Sequence, residues 1–250
     1  MKHLDLFSGI GGFALAARWM GWETVQFVEI DSFCQKVLNK NFPNVPIHGD
    51  IKTFDARKWA GQIDVLTGGD PCQPHSTSGA GRGRDDHRYL WPPMFEVARV
   101  IRPSCIVNEN VPGSIANRIL DQKISDLEDE DYTCWPPVLI PAGSVGALHR
   151  RDRIFLVAYS NTIGSQPQPE QLGCNMETKG DGKESTGAIN PLARPFIEGG
   201  SSEQLFTSEP PLVRGNNGIP KELDAIAAIG NSVHTGVIFE IFKAIETTLK

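Results

Sequence analysis

The chain contains no Cys-x-x-Cys pair, and its five cysteines (Cys34, Cys72, Cys105, Cys134 and Cys174) are odd in number and widely spread. Neither a disulfide framework nor a zinc or other metal site is indicated, and a reducing compartment fits best. No apolar run approaches the length that spans a bilayer, and the N-terminus reaches Asp5 and a glycine turn too early for a signal peptide. A soluble, unprocessed, cytoplasmic protein with no membrane partner is expected. An excess of basic charge is also missing: 24 Lys and Arg stand against 30 Asp and Glu, a net charge of -6. That excludes a surface attractive to polyanions throughout, so any contact with nucleic acid must come from a local basic patch. What remains, 250 residues with 40% hydrophobic and 22% charged, describes an ordinary globular protein built around one main domain.

One stretch stands out. Thr67-Gly68-Gly69-Asp70-Pro71-Cys72-Gln73-Pro74-His75-Ser76 follows directly on an apolar strand at residues 63–66. A free thiol is only slightly ionised at neutral pH, so a working cysteine needs a rigid, partly open and electropositive setting. Pro71 and Pro74 fix φ on either side of Cys72, and Gly68 and Gly69 permit a sharp turn at the strand end. The alternative is that Cys72 is simply a small residue in a turn.

The rest of the chain alternates strand and helix patterns. A strand at residues 3–7 ends in Ser8-Gly9-Ile10-Gly11-Gly12-Phe13-Ala14, and residues 13–20 then show helical spacing of apolar side chains. Strand, glycine turn and helix form a nucleotide-binding start, because glycine lets backbone approach a ligand and the helix N-terminus offers free N–H groups. Gly9-x-Gly11-x-x-Ala14 also satisfies the dinucleotide fingerprint, so an NAD-type oxidoreductase is a rival. A second strand, residues 24–28, closes on Glu29-Ile30-Asp31. Glu29 suits the hydroxyls of a ribose, whereas Asp31 suits the N-cap of a helix at residues 32–41. A third strand, 45–48, is followed by Gly49-Asp50-Ile51. Residues 89–100 read as a helix, 104–107 as a strand ending in Asn108-Glu109-Asn110, and 115–130 as one helix with an acidic solvent face. Strands at 138–140 and 154–158 flank His149-Arg150-Arg151-Asp152-Arg153, a cluster suited to phosphate or base recognition or to surface salt bridges. Residues 160–211 are rich in Ser, Gly, Pro and Gln and carry three basic against seven acidic residues, so they read as loop-rich and not as a strongly electrostatic DNA-binding module. An amphipathic helix at 237–249 closes the chain.

Asp5-Leu6-Phe7-Ser8-Gly9-Ile10-Gly11-Gly12-Phe13, the Pro71-Cys72-Gln73 stretch, Glu109-Asn110-Val111, the 149–153 cluster and Gly230-Asn231-Ser232-Val233 resemble, in their order, the motifs of the DNA (cytosine-5-)-methyltransferase family of bacterial and phage type. The resemblance covers residues 1–160 and roughly 212–250 as the catalytic domain, leaving 161–211 as a short target-recognition region. It implies an α/β, Rossmann-like fold of the S-adenosylmethionine-dependent methyltransferases: a mostly parallel sheet with helices on both faces and a small irregular insertion. It also implies that the C-terminal motif returns beside the N-terminal glycine turn. Cys72 would add to carbon 6 of a flipped-out cytosine, Glu109 would protonate or hydrogen-bond ring nitrogen 3, and Arg153 and Arg151 would hold the cytosine carbonyl or a nearby phosphate. S-adenosyl-L-methionine would lie against Phe7, Ser8, Gly9, Ile10, Gly11 and Gly12, with Glu29 on its ribose, Ile30 and Ile51 flanking the adenine and Asp50 near its amino group. Pro71, Leu90, Asn231 and Val233 match further cofactor positions. Residues 77–88 would close over the base, double-stranded DNA would be the partner of a monomer, and a cognate restriction endonuclease is a further expected partner.

The chain departs from the family pattern at several points. Asp70 precedes Pro71-Cys72 where an aromatic or small residue is frequent, and a carboxylate near Cys72 would raise its thiol pKa. His75 replaces a frequent aromatic, position 149 is His where Gln is common, and Val233-His234-Thr235-Gly236 lacks the usual proline. The short, acidic recognition region keeps a catalytically weak or RNA-directed relative as an alternative.

Overall fold

The computed structural model describes residues 1–71, 89–116, 118–147, 151–162, 228 and 231–249. Cys72, the 77–88 loop, His149 and nearly all of the 161–211 region lie outside the described residues.

Eight strands make one sheet: β1 (Lys2–Leu6), β2 (Glu23–Val28), β3 (Ile47–His48), β4 (Val65–Gly68), β5 (Cys105–Asn110), β6 (Tyr132–Cys134), β7 (Val138–Pro141) and β8 (Asp152–Ser160). Their order is β3-β2-β1-β4-β5-β8-β6, with β7 pairing on β8. β1 to β5 are parallel, and β8 runs antiparallel to β5, β6 and β7. The order reverses between β1 and β4, and ligands of open α/β sheets bind at such a reversal, beyond the strands' carboxyl ends. β4 is buried along its whole length, as expected of a strand covered on both faces.

The helices are α1 (Gly12–Trp19), α2 (Ser32–Asn41), α3 (Trp91–Ile101), α4 (Gly113–Ala116), α5 (Ile119–Glu128) and α6 (Thr235–Leu249). α3 carries Pro92 and Pro93 in its first turn, where a missing N–H forfeits no intrahelical bond. Among the described residues no helix is long and apolar enough to cross a membrane.

The expected single helix at 115–130 is broken: Arg118 takes the left-handed conformation (φ 54°) and separates α4 from α5. The expected strand at 63–66 falls at Val65–Gly68, because Thr67 finds buried polar partners and pairing with β5 continues past the apolar run. β6 was not anticipated; three residues are too few for a readable alternation.

The C-terminal segment does return to the N-terminal turn. A Cβ on Gly12 would stand 2.7 Å from Val233 Cγ2 and 3.0 Å from its carbonyl oxygen, so glycine is needed for this approach. α6 seals the contact through Phe242, which is fully buried and stacks on Trp22 at 4.5 Å between centroids. Phe242→Ala should cost about 3–5 kcal/mol. Urea unfolding checks this, and an unchanged midpoint would contradict α6 as a structural seal.

Candidate active site

The glycine turn leaves β1 through three left-handed residues, Phe7 (φ 53°), Gly9 (φ 52°) and Gly11 (φ 89°). Gly11 has no room for a side chain, since a Cβ would meet Phe42 Cε2 at 2.9 Å, whereas a Cβ on Gly9 would meet nothing within 4 Å. The turn therefore packs inward at Gly11 and opens outward at Gly9. Inside it the Ser8 hydroxyl donates to the Asp5 carbonyl at 2.8 Å, while Ile10 is half-buried.

Glu29, at the end of β2, accepts from the Gly9 amide at 2.6 Å through Oε2 and from the Asp31 amide at 2.7 Å through Oε1. Burial pushes its carboxyl pKa up, and these amide bonds pull it back. Asp31 instead caps α2 by accepting from the Cys34 amide at 2.8 Å, as its side-chain type suggests. Ile30 between them is 72% exposed, an apolar surface left beside a buried acid. Asp50 caps the short turn at Ile51–Thr53 by accepting from Lys52, and the Ile51 side chain belongs to the main core.

At the other side of the strand-order reversal, Glu109 on β5 is buried, and its Oε1 pairs with Arg153 Nε on β8 at 2.6 Å. A Cβ on Gly69 would lie 2.9 Å from Glu109 Oε2, and one on Gly68 would lie 2.9 Å from Met94 Cε. Neither glycine has positive φ, so these two serve close approach and not the sharp turn expected of them. Burial raises the Glu109 carboxyl pKa; Arg153 and then Arg151 oppose this, and the Asp70 charge adds to it. The net direction is upward, which suits a proton donor.

Arg151 and Arg153, grouped by sequence, have different neighbours. Arg153 holds Glu109, whereas the Arg151 guanidinium donates to the Ser232 carbonyl and ties the cluster to the returning C-terminal segment. In that segment Asn231 is exposed and Val233 rests against Gly12; Leu90 is half-buried before α3, and Pro71 is exposed at the last described residue before Cys72.

Two buried polar clusters escaped the sequence. In one, Lys123 of α5 places Nζ 2.5 Å from Asp70 Oδ1 and 2.8 Å from Asn108 Oδ1. The signal was legible: Lys123 is the one basic residue in α5, and it shares an inner face with Leu120 and Leu127. In the other, Thr67 Oγ1 donates to Asp5 Oδ1 at 2.6 Å and meets His3 Nε2 at 2.8 Å, while Asp5 Oδ2 is buried without a partner. Burial pushes the Asp5 carboxyl up to about 8 and the His3 imidazole down to about 3.

Comparison with known proteins identifies relatives of this chain. The family model of C-5 cytosine-specific DNA methylases matches residues 1–193. The Type II methyltransferase M.HhaI of Haemophilus parahaemolyticus is 32% identical over 182 residues, covering 69% of this chain and 54% of the relative. M.Eco47II of Escherichia coli is 36% identical over 168 residues, covering 64% of this chain and 40% of the relative. The chain thus spans about half the length, or less, of these relatives. Among solved structures, DNMT2 of Spodoptera frugiperda superposes with a TM-score of 0.57 at 25% identity, over 67% of this chain and 52% of that one.

The buried acid on β1 has a consequence for stability. Folded Asp5 keeps a proton up to about pH 8 that the unfolded chain loses near 3.8. Its contribution is therefore complete below about pH 4 and is lost as pH rises through about 8. Asp5→Asn keeps an acceptor for Thr67 and should flatten the decline of unfolding free energy between pH 5 and about 8.5. Parallel curves for the two proteins would contradict a neutral buried Asp5.

Proposed function

The chain belongs to the C-5 cytosine-specific DNA methylase family, and from that membership we propose that it transfers a methyl group from S-adenosyl-L-methionine to carbon 5 of a flipped-out cytosine in double-stranded DNA. The observation that carries this is the placement of Glu109, a buried acid pinned by Arg153 and pressed against Gly69, three residues before Cys72.

The turn at the other side fits the methyl donor. Gly9 faces open space in a conformation that side chains rarely adopt, Glu29 presents a carboxylate for a ribose diol, and Ile30 offers an apolar surface for a base. Phe7, Ser8, Ile10, Gly11, Gly12, Asp50, Ile51, Pro71, Leu90, Asn231 and Val233 complete the proposed surround. When bound, the cofactor supplies an electrophilic methyl group on its sulfonium.

Carbon 5 of cytosine is a weak nucleophile. The Cys72 thiolate adds to carbon 6 and pushes electron density toward carbon 5, while Glu109 protonates or hydrogen-bonds nitrogen 3 to take up the charge that develops. Arg153 orients Glu109 and tempers its basicity, and Arg151 ties that arginine pair to the Asn231–Val233 segment across the cofactor side. After methyl transfer a base removes the carbon 5 proton and the thiolate departs. The target must leave the helix stack for any of this to happen, and the 77–88 loop is proposed to close over it.

Residues 1–160 with 212–250 form the proposed catalytic domain, and 161–211 the target-recognition region. The Type II relatives support a modification role beside a cognate restriction endonuclease; a monomer acting in the cytoplasm is part of the same proposal. Transfer of labelled methyl to duplex DNA and to structured RNA tests the assignment. The wild type should prefer DNA, Cys72→Ala should abolish transfer while keeping cofactor binding, and Glu109→Gln should lower kcat by about 10²–10⁴-fold with little change in DNA affinity. Preference for RNA, full activity of Cys72→Ala, or a purely affinity-based loss in Glu109→Gln would contradict it.

A further inference from the structure

Asp70 stands two residues before Cys72, at a position where its charge is unfavourable both to thiolate formation and to its own burial. The structure shows how that charge is met. Lys123, 1% exposed, reaches across from α5 and places Nζ 2.5 Å from Asp70 Oδ1. Its other neighbours are Asn108 Oδ1 at 2.8 Å and the Trp91 ring, whose centroid is 5.0 Å away. Trp91 is itself held from α5, donating from Nε1 to Asp126 at 2.7 Å. Asn108 closes the ring of contacts by donating to Asp70 Oδ1 at 2.8 Å and to the Gly68 carbonyl at 3.0 Å.

A buried ion pair is an expensive way to fill space: apolar residues of similar volume often do as well or better, whereas removal of one partner is strongly destabilising. This pair sits where β4 becomes the Cys72 segment, and that location gives it work beyond packing. We propose that Lys123 is a positioning residue for the reaction, anchoring Asp70 and cancelling its charge at the base of the nucleophile segment.

Two effects follow, and both rest on the assignment of Cys72 as nucleophile. The anchor holds Asp70, and with it the described end of the segment that leads through Pro71 to Cys72 in sequence. With the Asp70 charge cancelled by Lys123, the other charged groups at the described end of this segment are Glu109, Arg151 and Arg153, which leave a net positive charge there, a setting that favours a thiolate. Two peptide units separate the α-carbons of residues 70 and 72 by at most about 7.6 Å, within a Debye length, so an uncancelled Asp70 charge would bear on Cys72.

The test measures the alkylation rate of Cys72 by iodoacetamide against pH, read on the Cys72 peptide by mass spectrometry, together with kcat and KM on duplex DNA. In Lys123→Met the alkylation midpoint should move up by about 0.5–1 pH unit. In the double variant Asp70→Asn with Lys123→Met, which buries no charge and should fold, the midpoint should return to the wild-type value while kcat stays about tenfold lower and KM is unchanged. An unmoved midpoint in folded Lys123→Met, or wild-type kcat in the double variant, would overturn the proposal; should Lys123→Met fail to fold, the double variant decides alone. Alkylation needs neither DNA nor cofactor, so a wild type that does not methylate DNA would instead count against the proposed function.

Discussion

Leu6, Gly68 and Asn108 stand level across three hydrogen-bonded parallel strands, β1, β4 and β5. Because of that register the glycine turn, residues 69–71 and Glu109 all lie at one edge of the sheet, where the strand order reverses. A shift of one residue would exchange the faces of every side chain involved and point Glu109 away from Gly69. Antiparallel β8 is equally bound to this frame: its pairing sets Phe155 opposite Glu109, and Arg153, two residues earlier, then reaches the Glu109 carboxylate. The glycine turn with Glu29 and the Glu109–Arg153 pair thus share one covalent and hydrogen-bonded platform instead of being assembled from separate loops.

The platform is held by polar groups as well as by its apolar core. β4 lies between the His3–Thr67–Asp5 cluster and the Asp70–Asn108–Lys123 cluster, both buried. Buried polar networks strengthen their bonds in a low dielectric but leave little tolerance for a missing partner, so they specify geometry more than they add stability. Here the specified geometry is the end of the strand that leads to Cys72.

Much of this was legible in the sequence. Strand, glycine turn and helix, the acid after the second strand and the Cys72 stretch carry local signals whose chemistry can be read residue by residue, and Asp31 as the cap of α2 followed from side-chain type alone. Other features are tertiary. Gly68 and Gly69 look like turn residues until Met94 and Glu109 are seen to occupy the space of their side chains. Arg151 and Arg153 are neighbours in the cluster, yet one faces Ser232 and the other Glu109. Asp70 reads as a handicap for a cysteine two residues on, because the cation that offsets it lies more than fifty positions away on a helix whose charged residues are otherwise acidic.

The central claim, that Cys72 is the nucleophile of a cytosine-5 methyl transfer, is tested most directly by duplex DNA in which cytosine carbon 5 carries fluorine, so that the final proton removal cannot occur. Incubated with this DNA and S-adenosyl-L-methionine, the protein should form a stable covalent adduct whose peptide contains Cys72. Cofactor binding without an adduct, or an adduct at another residue, would contradict the account.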